Sequence, residues 1–295
     1  MSMNDTDLPT VFIAVLVKQK EAVLPLFLRT LEELDYPKDK IFLYVRTNNN
    51  TDNSEKILRE WLSANGNEYQ DYLFDCANVS TKVENYGVHE WNGERFRVLG
   101  KIRQESLRQA IRAGSDYYFV IDADNFIYPE TLKELVALDL PIVAPLLRYA
   151  VATPEHPDSE DQKDRLAGHE GRYYSNYHYI VDSYGSVVPE PIYYQILYQN
   201  ERKPHKVDCV HCTYLIKREH LGTLSYLEES DRWEYMVFSE SARKNNVDQY
   251  LDNRKIYGVL TLTENADAST WMYNELADPE TREAKYNAIN VPDVL

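Results

Sequence analysis

Asp122 and Asp124 stand one residue apart where the apolar run "YYFVI" gives way to "DADN". Alternate residues of an extended chain face the same way, so both carboxylates are expected on one side. Two convergent carboxylates are hard oxygen donors suited to Mg²⁺ or Mn²⁺, ions that commonly bridge to substrate phosphates. Asp-x-Asp-Asn also occurs in ordinary turns, because Asp and Asn side chains bond their own backbone. The place of the stretch in the fold decides between the two readings.

That place follows from the elements around it. "VFIAVLV" (11–17) is a continuous, β-branched apolar run, as expected of a strand buried on both faces. Leu24, Phe27, Leu28, Leu31 and Leu34 then recur at helical spacing. "IFLYVRT" (41–47) reads as a second buried strand. The polar turn "NNNTDN" opens a helix there, with Asp52 and Glu55 spaced as a capping pair. "YLFDCA" predicts a short third strand. "LGKIRQESLRQAIRAG" predicts a helix closed by Gly114. "DYYFVIDAD" is the next strand, "PETLKELVAL" a helix, and "LPIVAPLL" (140–147) a further strand. Residues 11–147 thus alternate strand and helix, the pattern of an α/β fold with a mostly parallel sheet.

Beyond 150 the texture changes. "TPEHPDSEDQKDRLAGHEG" reads as a long acidic loop. "YYSNYHYIVD", "EPIYYQIL" and "KVDCVHCTYLIK" predict antiparallel strands. "DRWEYMVFSESARKNN" predicts a turn into a helix, and the tail beyond 270 a short helix. In an open α/β sheet, ligands bind beyond the carboxyl ends of the strands. Asp122 and Asp124, the turn from Thr47 to Asn53, and Lys18 all fall at such ends. This placement favours the cation site over the plain turn.

Composition narrows the partners. The net charge of −16 argues against nucleic acid, whose phosphates need a positive surface. A bound nucleotide needs local basic groups or a metal, and a basic acceptor is attracted. No run reaches the ~18 apolar residues of a membrane span, and the first residues show no secretory leader pattern. The three cysteines make no disulfide framework, and "CVHC" alone is too little for a closed zinc site. The 24 tyrosines suit either sugar-stacking walls or strand packing.

"DYYFVIDADNFIYPETLKELVALDLPIVAPLL" resembles the procollagen galactosyltransferase group of glycosyltransferase family 25. So do "RTNNNTDNSEKILREWL", "KIRQESLRQAIRAGSD", "YYSNYHYIVDSYGSVVP" and "VDCVHCTYLIKREHL", in the family's order over roughly residues 9–265. The resemblance implies a GT-A fold: a Rossmann-like, mostly parallel sheet with covering helices and an antiparallel acceptor-side region. It implies one domain over 1–295. Within it, 9–147 holds UDP and metal, 148–270 shapes the acceptor side, and 271–295 is a tail. It further implies Mn²⁺-dependent transfer of galactose from UDP-galactose to hydroxylysine of a collagen-like peptide, in the lumen of the endoplasmic reticulum. Mg²⁺ as the ion and UDP-glucose as the donor are the nearest alternatives.

Carried onto this chain, Asp122 and Asp124 match the metal-holding Asp-x-Asp. Thr47, Asn48 and Asp52 match the nucleotide end, and Lys101 and Arg103 a Lys-x-Arg that offsets phosphate charge. His211 matches an acceptor-side histidine. Arg103 and Lys101 also fit a solvated helix face, and His211 an ordinary strand histidine.

The chain departs from the family at two points. Where the family has Phe-Asp-Asp, this sequence has Phe238-Ser239-Glu240. Glu240, expected just inside a helix start, is the remaining candidate to take the acceptor's proton. An acid at a helix start is also what the helix dipole favours. A later family histidine is missing, which leaves Asp267 or Glu264 as the candidate third metal ligand. The change at Phe238-Ser239-Glu240 leaves a further reading, a catalytically impaired UDP-sugar-binding protein of the same fold; Asp122 as the nucleophile of a metal-dependent phosphohydrolase is a separate one.

Overall fold

The computed structural model describes residues 7–80, 92–149, 175–181, 187–188, 191–261 and 266–282. The acidic stretch 153–171 and Glu264 lie outside the described residues.

The first strands are β1 (Val11–Val17), β2 (Ile41–Thr47), β3 (Asp71–Asp75), β4 (Tyr117–Asp122) and β5 (Asn125–Ile127). Between them run α1 (Leu24–Glu32), α2 (Ser54–Asn65) and α3 (Gly93–Ala113). Next come α4 (Thr131–Leu138), β6 (Ile142–Pro145), β7 (Leu147–Tyr149), β8 (Tyr177–His178), β9 (Ile180–Val181), β10 (Val187–Val188) and α5 (Pro191–Leu197). The chain continues through β11 (Pro204–Val207), β12 (Cys209–Val210), β13 (Thr213–Lys217) and α6 (Arg218–Leu221). The last elements are α7 (Glu234–Lys244), β14 (Gln249–Asp252), β15 (Gly258–Leu260) and α8 (Ala266–Glu275).

Eight strands form the main sheet in the order β11-β14-β6-β13-β4-β1-β2-β3. β4, β1, β2 and β3 run parallel, and so do β6 and β14. β13 is inserted antiparallel between β4 and β6. Strands from beyond residue 200 therefore sit within the sheet begun at residue 11. A smaller sheet, β5-β15-β7, lies beside it.

Strand alternation divides the core into two layers. Val11, Ile13 and Val15 of β1 face a cluster with Phe27 and Leu31 of α1, Leu58 of α2, and Leu132 and Leu135 of α4. Phe12 and Ala14 face the other way, toward Leu107 and Ala110 of α3 and Phe238 and Ala242 of α7. Both faces are covered, so β1 reads as an unbroken apolar run.

The helix over residues 99–114 is found, begins earlier at Gly93, and is closed by left-handed Gly114 at φ 75°. "EPIYYQIL" is corrected: its core is helix α5, not a strand. Tyr193, Ile196 and Leu197 fall at helical spacing, and Ile196 and Leu197 are buried. Tyr44, Tyr118, Tyr128, Tyr177, Tyr214 and Tyr257 are among the most deeply buried side chains, which makes them packing groups rather than sugar platforms. No helix of the described residues is long and apolar enough to cross a membrane.

Candidate active site

Parallel pairing brings the expected strand ends together. Leu16 lies opposite Asp122, and Val17 opposite Thr47. The turns after β1, β2 and β4 therefore open at one edge of the sheet. On the far side of β4, Asp122 N donates to Cys212 O at 3.2 Å, which joins the loop before β13 to the same edge. Asp124 is fixed from the small sheet, where Thr261 N donates to its carbonyl at 3.0 Å. Asn125 Nδ2 donates to Thr213 Oγ1 at 2.7 Å beneath them.

Each acid meets a cation. Arg103 Nη2 donates to both Asp122 oxygens at 2.9 Å. Lys20 Nζ lies 3.1 Å from Asp124 Oδ2. Burial raises the pKa of Asp122, while the Arg103 charge acts against that rise. Arg103 is 4% exposed. The solvated-face reading of this residue is thereby corrected. Lys101, two residues earlier and so about 200° around the helix, is exposed.

Arg103 has a second acid that the sequence did not single out. Its Nε lies 3.3 Å from Glu234 Oε1, at the start of α7. Glu234 is 5% exposed, and burial raises its pKa against the Arg103 charge. Gly100 makes this meeting possible. A Cβ there would stand 2.8 Å from Tyr226 O and 3.6 Å from Glu234 Cβ. The sequence signal was a glycine one helical turn before an arginine, inside an otherwise regular helix.

The turn after β2 is built from side-chain bonds. Thr47 is fully buried and its Oγ1 accepts from Asn50 Nδ2 at 2.5 Å. Asn48 is buried and donates to Asn49 Oδ1 at 3.0 Å. Asn49 adopts φ 46°. Asp52 does not form the expected pair with Glu55, which binds Arg59 instead. Its oxygens accept from Ser54 N at 3.1 Å, Ser54 Oγ at 2.8 Å and Glu21 N at 3.0 Å. Asp52 therefore ties the post-β1 loop to the head of α2.

His211 sits in an aromatic stack, 5.1 Å from the ring of His178 and 4.7 Å from that of Tyr235. Tyr235 continues to Trp233 at 5.5 Å, and Trp233 to Phe96 at 4.3 Å. Burial lowers both histidine pKa values, that of His178 to about 4. His211 Nδ1 lies 3.0 Å from Cys212 Sγ. Cys212 has φ 63°, and Thr213 N donates across it to His211 O at 2.7 Å. A hydrogen bond spanning one positive-φ residue is the strained γ-turn. All three cysteines are free thiols.

Glu240 and Asp267 stand apart from this cluster. Glu240 is corrected from a helix-start acid to one in the seventh position of α7, about 9 Å along the axis from Glu234. It pairs with Arg232 at 2.6 Å and Lys244 at 2.5 Å. These bonds, Lys244 first, lower its pKa. Ser239, at the place of the resemblance's first aspartate, is fully buried and donates to Gln249 Oε1 at 3.0 Å. Asp267 is exposed in the first turn of α8.

Among the described residues, no three His, Cys, Asp or Glu side chains gather as a metal site. The pair Asp122 and Asp124 still fits a hard divalent cation of the kind held by one or two carboxylates, water and substrate phosphates. The two cations already seated against the pair show how strongly it draws positive charge.

Residues 8–153 match glycosyltransferase family 25, N-terminal domain. Procollagen galactosyltransferase 1-A of Xenopus laevis is 33% identical over 261 residues, covering 85% of this chain and 39% of that protein. Procollagen galactosyltransferase 2 of Homo sapiens is 33% identical over 266 residues, covering 86% and 39%. Inactive glycosyltransferase 25 family member 3 of Mus musculus is 28% identical over 270 residues, covering 88% and 42%. The chain thus spans 39–42% of the length of these relatives. In fold it is similar to S. aureus TarS 1-349, with TM-score 0.50 and 16% identity over 94% of this chain and 68% of that one. It is also similar to GalNAc-T7 with UDP, GalNAc and Mn²⁺, with TM-score 0.52 and 14% identity over 87% and 43%.

Proposed function

The chain belongs to glycosyltransferase family 25 and has the GT-A fold, and from that membership we propose that it moves a hexose from a UDP-sugar to a hydroxyl acceptor. Galactose from UDP-galactose, passed with inversion to hydroxylysine of a collagen-like peptide, is the reading that its relatives' names favour. The observation that carries it is the convergence of three parallel strand ends on Asp122 and Asp124.

In this reading Asp122 and Asp124 would hold Mn²⁺ or Mg²⁺ against the diphosphate, with water and substrate oxygens as the further ligands rather than the distant Asp267. A bound divalent ion stabilises the charge that gathers on UDP as the sugar–phosphate bond breaks. Thr47, Asn48 and Asp52 shape the nucleoside end, and the rigidity of their turn supports that use. Lys20 offers positive charge to phosphate from the site's rim, and Arg103 does so from beneath Asp122; Lys101, on the opposite face of α3, takes no part. His211, held neutral in its stack, lies on the acceptor side with Tyr235. Glu240, kept ionised by Arg232 and Lys244, takes the acceptor's proton.

A second reading has its own observation. Ser239 is sealed in the core, and one relative of similar coverage is named inactive. A UDP-sugar-binding protein without turnover accounts for both. The test is UDP release from UDP-galactose and UDP-glucose, with Mn²⁺ or EDTA, with and without a hydroxylysine peptide. Manganese-dependent, acceptor-stimulated release from UDP-galactose is expected. UDP binding with no release from either donor would establish the second reading.

A further inference from the structure

One guanidinium faces two buried acids and serves them unequally. Arg103 gives both Asp122 oxygens a 2.9 Å bond, yet offers Glu234 only Nε at 3.3 Å. Arg103 Nη1 and Glu234 Oε2 are both buried and without a hydrogen-bond partner among the described residues. Buried polar atoms are rarely left unpaired, and charged ones least of all. Here an orphan donor and an orphan acceptor belong to two residues already in contact. Arginine's fork matches a carboxylate at two points. Asp122 has both oxygens bonded, while Glu234 has one left over.

We propose that Glu234 is a positioning residue which receives the Arg103 guanidinium when a divalent cation takes its place on Asp122. This rests on the metal-binding reading above. Without metal, Arg103 and Lys20 balance the charges of Asp122 and Asp124. A divalent ion brings two further positive charges to the same oxygens and repels a guanidinium bonded to them. Arginine cannot shed its proton in a protein, so relief comes by movement. A displaced, buried guanidinium with no second acid would be left uncompensated, which is strongly unfavourable. Glu234 Oε2 supplies the vacant half of a two-point match, and Gly100 lets α3 lie close enough for the transfer. Glu234 thereby makes Asp122 available to the cation without touching it.

The test is Mn²⁺ binding to the full chain, followed by electron paramagnetic resonance of free Mn²⁺ with UDP present. Loss of an outer-shell partner typically costs about 10- to 100-fold in metal affinity, and E234Q is expected to fall in that range. In an R103Q background the same change is expected to move affinity less than about twofold, because no guanidinium then needs a second home. Equal Mn²⁺ affinity of E234Q and the wild type, both folded by circular dichroism, would overturn the proposal and leave the metal site standing. No Mn²⁺ binding by the wild type would overturn both. A crystal structure of the wild type with Mn²⁺ and UDP decides the matter even if E234Q does not fold. Arg103 paired at two points with Glu234 is expected there; Arg103 still on both Asp122 oxygens overturns the transfer.

Discussion

Lys20 Nζ stands 3.1 Å from Asp124 Oδ2, bridging the loop after β1 and the turn after β4. Both side chains are partly open, at 19% and 28%, so the pair contributes at most about 1 kcal/mol to stability. Its weight is functional. Asp124→Asn keeps the shape and removes one charge. We expect manganese-dependent UDP release to fall by about 100-fold, the scale of losing one charge-stabilising group. The melting temperature should stay within a few degrees. Undiminished release in Asp124→Asn would remove the pair from the chemistry.

Gly100 offers a test in which two effects have opposite signs. Gly→Ala inside a helix ordinarily gains about 1 kcal/mol from propensity. Here the added Cβ would stand 2.8 Å from the Tyr226 carbonyl, a backbone atom. Overpacking of this kind costs about 1–3 kcal/mol, and it also pushes α3 away from α7. Gly100→Ala is therefore expected to lower the urea midpoint and weaken Mn²⁺ binding together. A raised midpoint would show that the helices do not depend on this close approach.

The strands around the site were legible in the sequence because each is an apolar run of about seven residues bounded by polar turns, too short for a buried helix. β1, β2 and β4 each read as such a run, and their parallel order placed Asp122 and Thr47 at one edge. The helix α5 was not legible. "PIYYQIL" is too short to separate a period of two from 3.6, and its tyrosines favour strands by propensity. Glu234 was hidden for another reason. Its role depends on Arg103, 131 residues away, and on packing across Gly100, which no local pattern records. Lys20 was missed by two positions: Lys18 marked the strand end, but the loop carries Lys20 back toward Asp124. Glu240 is expected at a helix start from "DRWEYMVFSESARKNN" read as a turn into a helix, whereas α7 begins six residues earlier at Glu234, because the turn is confined to the residues before it.

The stacked histidines make stability depend on pH. Burial moves the His178 pKa from 6.5 to about 4, and His211 moves in the same direction. A depressed histidine binds fewer protons folded than unfolded, so stability rises with pH between the two values. The contribution is complete above pH 6.5 and is lost as pH falls toward 4. At ~1.4 kcal/mol per pH unit, His178 alone accounts for about 3 kcal/mol over that window. Urea unfolding at pH 7.5, 6.5, 5.5 and 5.0 should show the midpoint falling with acidification. His178→Gln should flatten the fall. A flat wild-type profile would contradict the buried, neutral state of the pair.

Glu240 presents the sharpest question of catalysis. A general base must be ionised to act, and Lys244 and Arg232 ensure that by holding its pKa below the ordinary glutamate value. The same bonds weaken its pull on a proton. Lys244, with a side chain 72% exposed, is the more readily displaced of the two partners. If Glu240 takes the acceptor's proton, Glu240→Gln lowers transfer by about 10²- to 10⁴-fold, the range of general base catalysis. UDP–Mn²⁺ affinity is then unchanged, since Glu240 touches neither aspartate. Lys244→Ala removes the largest cause of the low pKa. The protonated base is inactive, so the acidic limb of the kcat/KM profile should move to higher pH in that variant. Transfer by Glu240→Gln at the wild-type rate, with the acidic limb unmoved in Lys244→Ala, would assign Glu240 to the Arg232–Lys244 ion pairs alone.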